Sequence, residues 1–195
     1  MFSEDTIDSK VHFQGRVFSV EEHKVRLHDG QQAKREIVRH SGGACIVPVD
    51  DDGFVYLVNQ FRKPYDRMLI EIPAGKLEPG EDPLECARRE LTEETGLTAQ
   101  KIEWLSTVYP SPGYCDEILT IFIGTGLSQG DSNPDQGEFI TVQKIFINDA
   151  IDMIDRGQIP DGKTQIGLLR AEKWFAKYKE TNNTFGGLAK DQNEV

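Results

Sequence analysis

Residues 82–97, Asp-Pro-Leu-Glu-Cys-Ala-Arg-Arg-Glu-Leu-Thr-Glu-Glu-Thr-Gly-Leu, carry both of their own boundaries. Asp82 is an N-cap, Pro83 takes the first helical position, Glu85 completes a capping box, and Gly96 is the C-terminal stop. A chain containing this segment has a helix here, entered from a glycine- and proline-rich stretch that follows a strand. At about 100° per residue, Leu84, Ala87 and Leu91 form one apolar stripe. Glu90 and Glu94 sit side by side at its edge, Glu93 lies just beyond, Arg88 flanks the other edge, and Glu85 points to water. The helix therefore packs against something, and it packs with an acidic pair at the margin of the contact.

The remaining pattern is mostly β. Residues 16–20, 22–27 and 33–39, with a turn at Asp29 and Gly30, read as a small antiparallel sheet. Those strands are too polar to hold a core of their own, so they need the rest of the chain or another subunit. The apolar run 43–49, a turn at Asp50 to Gly53 and the alternating run 54–60 predict a core hairpin. Further strands are expected at 68–72, 103–109, 117–124 and 139–146. The small, polar residues 125–137 predict a mobile surface loop. Helices follow at 149–156, stopped by Gly157, and at 164–178, with Ile166, Leu169, Trp174 and Phe175 inward. This gives an α/β chain with an amino-terminal β subdomain over 1–42, a main domain over 43–180 and a flexible tail over 181–195.

Composition narrows the function classes. With 195 residues, 37% hydrophobic and 28% charged, the chain can bury a sizeable core. It has no apolar run of about 18 residues and no basic-then-apolar start, so a cytoplasmic protein is expected. Cys45, Cys86 and Cys115 lack the close spacing of zinc or redox sites. A formal charge of −11 repels nucleic acid and anionic membranes, so neither is an expected partner. An anionic substrate would need cations supplied locally, by a few placed arginines and a bound divalent metal.

The acidic helix provides for such a metal. Glutamate-rich helices commonly expose a merely solvated face. Here, however, Glu90 and Glu94 are like charges one turn apart that border the apolar stripe, where desolvation adds to their repulsion. A divalent cation removes both penalties, and clustered hard oxygens suit Mg2+, or Mn2+, better than zinc.

The spacing now becomes specific. Gly75, five residues, Glu81, seven residues, then Arg89, Glu90, Leu91, Glu93, Glu94, Gly96 and Leu97 occupy nine set positions over 23 residues. This resembles the Nudix box at every fixed position. The resemblance implies a Nudix α/β/α sandwich with a mixed β-sheet, beside the small amino-terminal antiparallel β-sheet. It implies metal-dependent cleavage of a nucleoside diphosphate linked to another moiety. Glu90 and Glu94 would be metal ligands together with the carbonyl of Ala74, Glu93 would assist, Glu81 would lie nearby, and Arg89 would hold a box glutamate.

Around the box, Gln-Phe-Arg-Lys-Pro at 60–64, Glu-Ile-Pro-Ala-Gly-Lys at 71–76, Ser-Pro-Gly at 111–113 and Asp116-Glu117 resemble the ADP-ribose pyrophosphatase branch. That likeness implies cleavage of ADP-ribose to AMP and ribose 5-phosphate, with Pro112 as the substrate marker. It places Arg62 on the substrate's phosphates, Arg35 and Glu36 near the nucleotide, and Glu117 on the substrate or metal side. As lone arginines, Arg62 and Arg35 equally suit surface ion pairs. The branch further implies a homodimer whose amino-terminal sheet supplies an aromatic stack, here Phe18 or Phe13. It also implies a general base on the loop before the strand at 139–146, where Glu138 stands, with Asp135 and Glu117 as alternatives. Competing expectations are a nucleoside diphosphate hexose hydrolase, of GDP-mannose or UDP-glucose type, and an inactive ADP-ribose-binding module.

Overall fold

The computed structural model describes residues 2–130 and 139–188, with side chains to residue 180. In chain order the elements are β1 (Asp5–Gln14), β2 (Phe18–Arg26), β3 (Gln32–His40), β4 (Gly43–Pro48), β5 (Phe54–Arg62), β6 (Arg67–Glu71) and β7 (Ala74–Lys76). They continue with α1 (Pro83–Thr95), β8 (Leu97–Val108), β9 (Leu119–Gln129), β10 (Ile140–Phe146), α2 (Ile147–Asp155) and α3 (Gly162–Leu188).

β4 explains the layering. All of its residues are buried, as its continuous apolar run requires. It is one of the two interior strands of a mixed sheet ordered β7-β4-β9-β8, parallel to β9 and antiparallel to β7. Because successive side chains point to opposite faces, Ala44 and Ile46 pack with Cys86, Ala87 and Leu91 of α1. Cys45 and Val47 join the opposite core, which contains Leu168 and Ala171 of α3. Helix, sheet and helix thus form the α/β/α sandwich, and each fully buried Leu or Ile contributes about 1.5–3 kcal/mol. A second antiparallel sheet, β10-β5-β6, completes the α3-side core through Val55 and Leu57.

The β4–β5 turn forms as the residues dictate, with Asp50 Oδ1 accepting from the N–H groups of Asp52 and Phe54 at 3.1 and 2.9 Å. The hairpin does not. After the single bridge between Val49 and Val55, β5 leaves to pair with β6 and β10, so the two strands belong to different sheets.

The small amino-terminal sheet is present, ordered β1-β2-β3. Its first strand lies upstream of the residues expected to be β, and residues 16–27, read as two strands, contain one continuous β2. β1 is exposed along its whole length and is interrupted by register shifts, which hides its period from the sequence. This sheet joins the body where Val38 N–H donates to Tyr114 O at 2.7 Å and Asp116 N–H to Val38 O at 3.1 Å.

Three local expectations are corrected. Residues 125–129 are not loop but the end of β9, paired with β8. Leu169 is exposed on α3 and Leu168 is buried instead, because the inner face runs through Thr164, Leu168, Ala171 and Phe175 at helical spacing. Asp82 caps α1 by accepting from Leu84 N–H at 2.8 Å, but Glu85 turns toward Arg88, 3.8 Å away, and closes no capping box.

Candidate active site

α1 places its acidic edge against β7. Glu90 and Glu94 are buried there, at 9% and 6% exposure, as their position beside the apolar stripe demands. Ala74 N–H donates to Glu94 Oε2 at 3.0 Å. Glycine at 75 makes the fit possible, since a Cβ there would overlap the Glu90 carboxylate. The cradle is thus shaped around a carboxylate by the absence of one methyl group.

Arg89 offsets the acidity. Its Nη1 donates to Glu90 Oε1 at 2.6 Å and to Glu93 Oε2 at 2.9 Å, while Nε and Nη2 grip Glu81 at 3.0 and 3.2 Å. The Glu81 bonds, followed by those to Glu90, raise the guanidinium's pKa against the opposing effect of burial. The same Arg89 hydrogen bonds hold the Glu81 carboxyl below its ordinary range. Arg89 holds both box glutamates, Glu90 and Glu93, and gathers Glu81 as well.

The donor set fits a hard divalent ion: two buried carboxylates, a third beside them, and adjoining main chain. Among the described residues no three His, Cys, Asp or Glu side chains already converge on one point, so the ion's remaining ligands would come from backbone or substrate.

The wall formed by Ala74 and Gly75 opens into a cavity of about 570 Å3 that is also lined by Arg62, Glu117, His40 and Lys163. Gly42 N–H donates to His40 Nδ1 at 3.0 Å, which sets the ring 3.6 Å from Glu117 Oε1. Arg62 is held from beneath. Its Nε and Nη2 donate to the two oxygens of Glu71 at 2.7 and 2.8 Å, and Glu71 is only 2% exposed. Lys163 Nζ donates to the same carboxylate and to Asp161 Oδ2 at 3.0 Å. Burial pushes the Glu71 pKa up, but Arg62 and Lys163 outweigh it and leave the carboxyl below its ordinary value. Burial likewise opposes the Lys163 ammonium, which Asp161 and Glu71 hold above its ordinary range.

Arg35, Glu36 and Pro112 meet in a second cavity of about 330 Å3, away from Arg62. Within it Arg35 is paired with Glu4, through bonds of 2.9 and 2.5 Å. Phe18 lines neither cavity; its ring stacks at a tilt on Phe13, centroids 5.6 Å apart, and both are exposed. Glu138 and Asp135 lie outside the described residues. The structure thus gathers Ala74, Glu90, Glu94, Glu93 and Arg89 along α1 and β7, sets Arg62 and Glu117 in the adjoining cavity, and separates Arg35, Glu36 and Pro112 from them.

Glu71, Asp161, Lys163 and His40 were not among the expected site residues. A charge at Glu71 inside the apolar run Leu-Ile-Glu-Ile was the available signal, since a buried carboxylate needs cationic partners. Its partner Lys163 lies 92 positions away, beyond any local pattern.

The sandwich and its acidic helix define a Nudix-type domain, and comparison with known proteins agrees. The NUDIX domain family matches residues 39–164, and the chain belongs to that family as a Nudix hydrolase. It is 41% identical over 167 residues to an ADP-ribose pyrophosphatase of Bacillus subtilis (strain 168), covering 85% of this chain and 90% of the relative. It is 39% identical over 170 residues to a methanol dehydrogenase activator of Bacillus methanolicus, covering 86% and 92%. A solved structure described as an ADP compounds hydrolase superposes with a TM-score of 0.80 at 19% identity, covering 90% of this chain and 96% of that one, which confirms the fold.

Proposed function

We propose that the chain hydrolyses the diphosphate bond of ADP-ribose, giving AMP and ribose 5-phosphate, with Mg2+ or Mn2+ held by Glu90 and Glu94, Glu93 and the Ala74 carbonyl. The supporting observation is a single cavity that joins the wall behind the buried glutamates to the Arg62 guanidinium. An ion held by those carboxylates would neutralise charge developing on the diphosphate and lower the pKa of an attacking water. Arg62, fixed by Glu71 on one edge, keeps its other N–H groups for phosphate oxygens, which suits a planar fork. Glu117 lies on the same cavity wall on the substrate side. Glu138 is the proposed base. The 41% identity to the B. subtilis ADP-ribose pyrophosphatase, together with the branch resemblance at Pro112, supports ADP-ribose over hexose nucleotides, while Arg35 and Glu36 line the second cavity with Pro112. A homodimer accords with the exposed Val11, Phe13, Val17 and Phe18 in and beside the outer strands.

The test is turnover of ADP-ribose, NADH, GDP-mannose and UDP-glucose with Mg2+ or Mn2+. The specificity constant for ADP-ribose should exceed the others, and a tenfold preference for a hexose nucleotide, about 1.4 kcal/mol, would transfer the assignment. Glu94→Gln should abolish most turnover and leave the melting curve of the metal-free protein cooperative. Near wild-type turnover in that variant would refute the ligand assignment.

A further inference from the structure

Lys163 is neither a surface lysine nor a fully satisfied buried one. Its side chain is 14% exposed, in the first turn of α3, and it lines the same cavity as Arg62. An ammonium has three N–H donors, and two acceptors engage it, Glu71 and Asp161. Among the described residues, one donor is therefore left over. Arg62 has five N–H groups, of which Nε and one on Nη2 are used by Glu71. A half-buried amine with a spare donor at a cavity wall can exchange the water it meets there for an anionic acceptor, to which its charge-assisted hydrogen bond is stronger.

The charge balance shows which acceptor fits. Glu71 and Asp161 offset the two cations, so the cluster rests stably without substrate, yet both acidic groups bind Lys163 and leave its remaining N–H to the cavity. Asp161 also accepts from Thr164 N–H at 3.0 Å and from the Thr164 hydroxyl at 2.6 Å, and that hydroxyl receives Ile72 N–H at 2.9 Å. The α3 start is thereby fastened to the chain just beyond β6, and the ammonium is fixed relative to Arg62 through one shared carboxylate. In a protein of charge −11, such a pair is a local means of accepting an anion with more than one oxygen.

We propose that Lys163 is a substrate-binding residue whose spare N–H, together with those of Arg62, takes an oxygen of the substrate's diphosphate. The proposal deepens the nucleoside diphosphate reading and rests on it for the identity of the anion. The test is equilibrium binding by calorimetry in EDTA, which removes divalent ions and prevents turnover, with ADP-ribose and with inorganic pyrophosphate over a range of NaCl. Lys163→Gln, neutral but still a donor to Glu71, should weaken both ligands by at least about tenfold and reduce the slope of log affinity against log salt. Lys163→Arg should restore most of the affinity and the slope, and Lys173→Met, elsewhere on α3, should change neither. A purely structural lysine would lower the melting temperature while leaving the salt slope of the folded fraction at the wild-type value. That result, or unchanged affinity in Lys163→Gln, overturns the proposal. Should Lys163→Gln fail to fold, Arg62→Gln decides, because it leaves Lys163 in place: pyrophosphate binding in that variant that NaCl no longer weakens overturns the proposal. Pyrophosphate carries no sugar, so a chain preferring another nucleotide sugar refutes the ADP-ribose assignment while this arm still reads Lys163.

Discussion

Replacing Glu71 by glutamine tests whether the charge node beneath Arg62 holds the fold as well as the cavity. The change is nearly isosteric, but it removes a charge 2% exposed and turns one acceptor oxygen into an NH2 facing the N–H groups of Arg62 and Lys163. Breaking a buried pair costs about 3–5 kcal/mol when the orphaned partner stays buried. Two features reduce that figure: the Arg62 side chain is 38% exposed and regains water, and Lys163 keeps Asp161 at 3.0 Å. A loss of about 2–3 kcal/mol follows, or roughly 4–12 °C in melting temperature for a domain of this size. The pH dependence has a definite sign. Arg62 and Lys163 outweigh burial and hold the Glu71 carboxyl below its ordinary 4.5. Its stabilisation is therefore complete above that value and is lost as pH falls through the lower folded value. Melting followed by circular dichroism should show the full gap between wild type and Glu71→Gln at pH 7 and a narrowing gap below about pH 4.5. A gap under about 2 °C at pH 7, or one that widens in acid, refutes the reasoning.

Gly75→Ala inserts a methyl group into the space of the Glu90 carboxylate, so it should cost about 1–3 kcal/mol in denaturant titrations and reduce turnover; wild-type stability and rate would mean that β7 yields freely. Glu138→Gln should lower kcat by about 10² with little change in KM, whereas loss of turnover in Asp135→Asn or Glu117→Gln, with Glu138→Gln normal, moves the base to that position. Gly96, at φ 70°, ends α1 in the left-handed region, so Gly96→Ala should destabilise by about 1 kcal/mol in thermal melts without altering KM.

What could be read from the residues was what is decided locally. Asp82, Pro83 and Gly96 act within a turn of themselves, and α1 lies where they put it. The turn at Asp50 to Gly53 was legible for the same reason, while the pairing of its two strands was not, because β4 finds β9 and β5 finds β10 more than seventy positions downstream. Residues 125–129 read as loop because Gly126 and Ser128 lack strand propensity, yet their ladder to residues 97–101 of β8 overrides it. At the site, the box gave Glu90, Glu94 and Arg89 by spacing on a single helix. The Glu71, Lys163 and Asp161 cluster is assembled by tertiary packing, and only the unusual charge at Glu71 hinted at it.

The grip of Arg89 on Glu81, Glu90 and Glu93 also decides how α1 tolerates so acidic an edge. Because the acidic edge of α1 carries its own resident cation, the repulsion between its neighbouring carboxylates is offset from within the helix. A divalent ion held by these glutamates would have to exchange with guanidinium contacts already in place. Its apparent affinity would then be set by the difference between two partners and not by the raw attraction of a carboxylate pair.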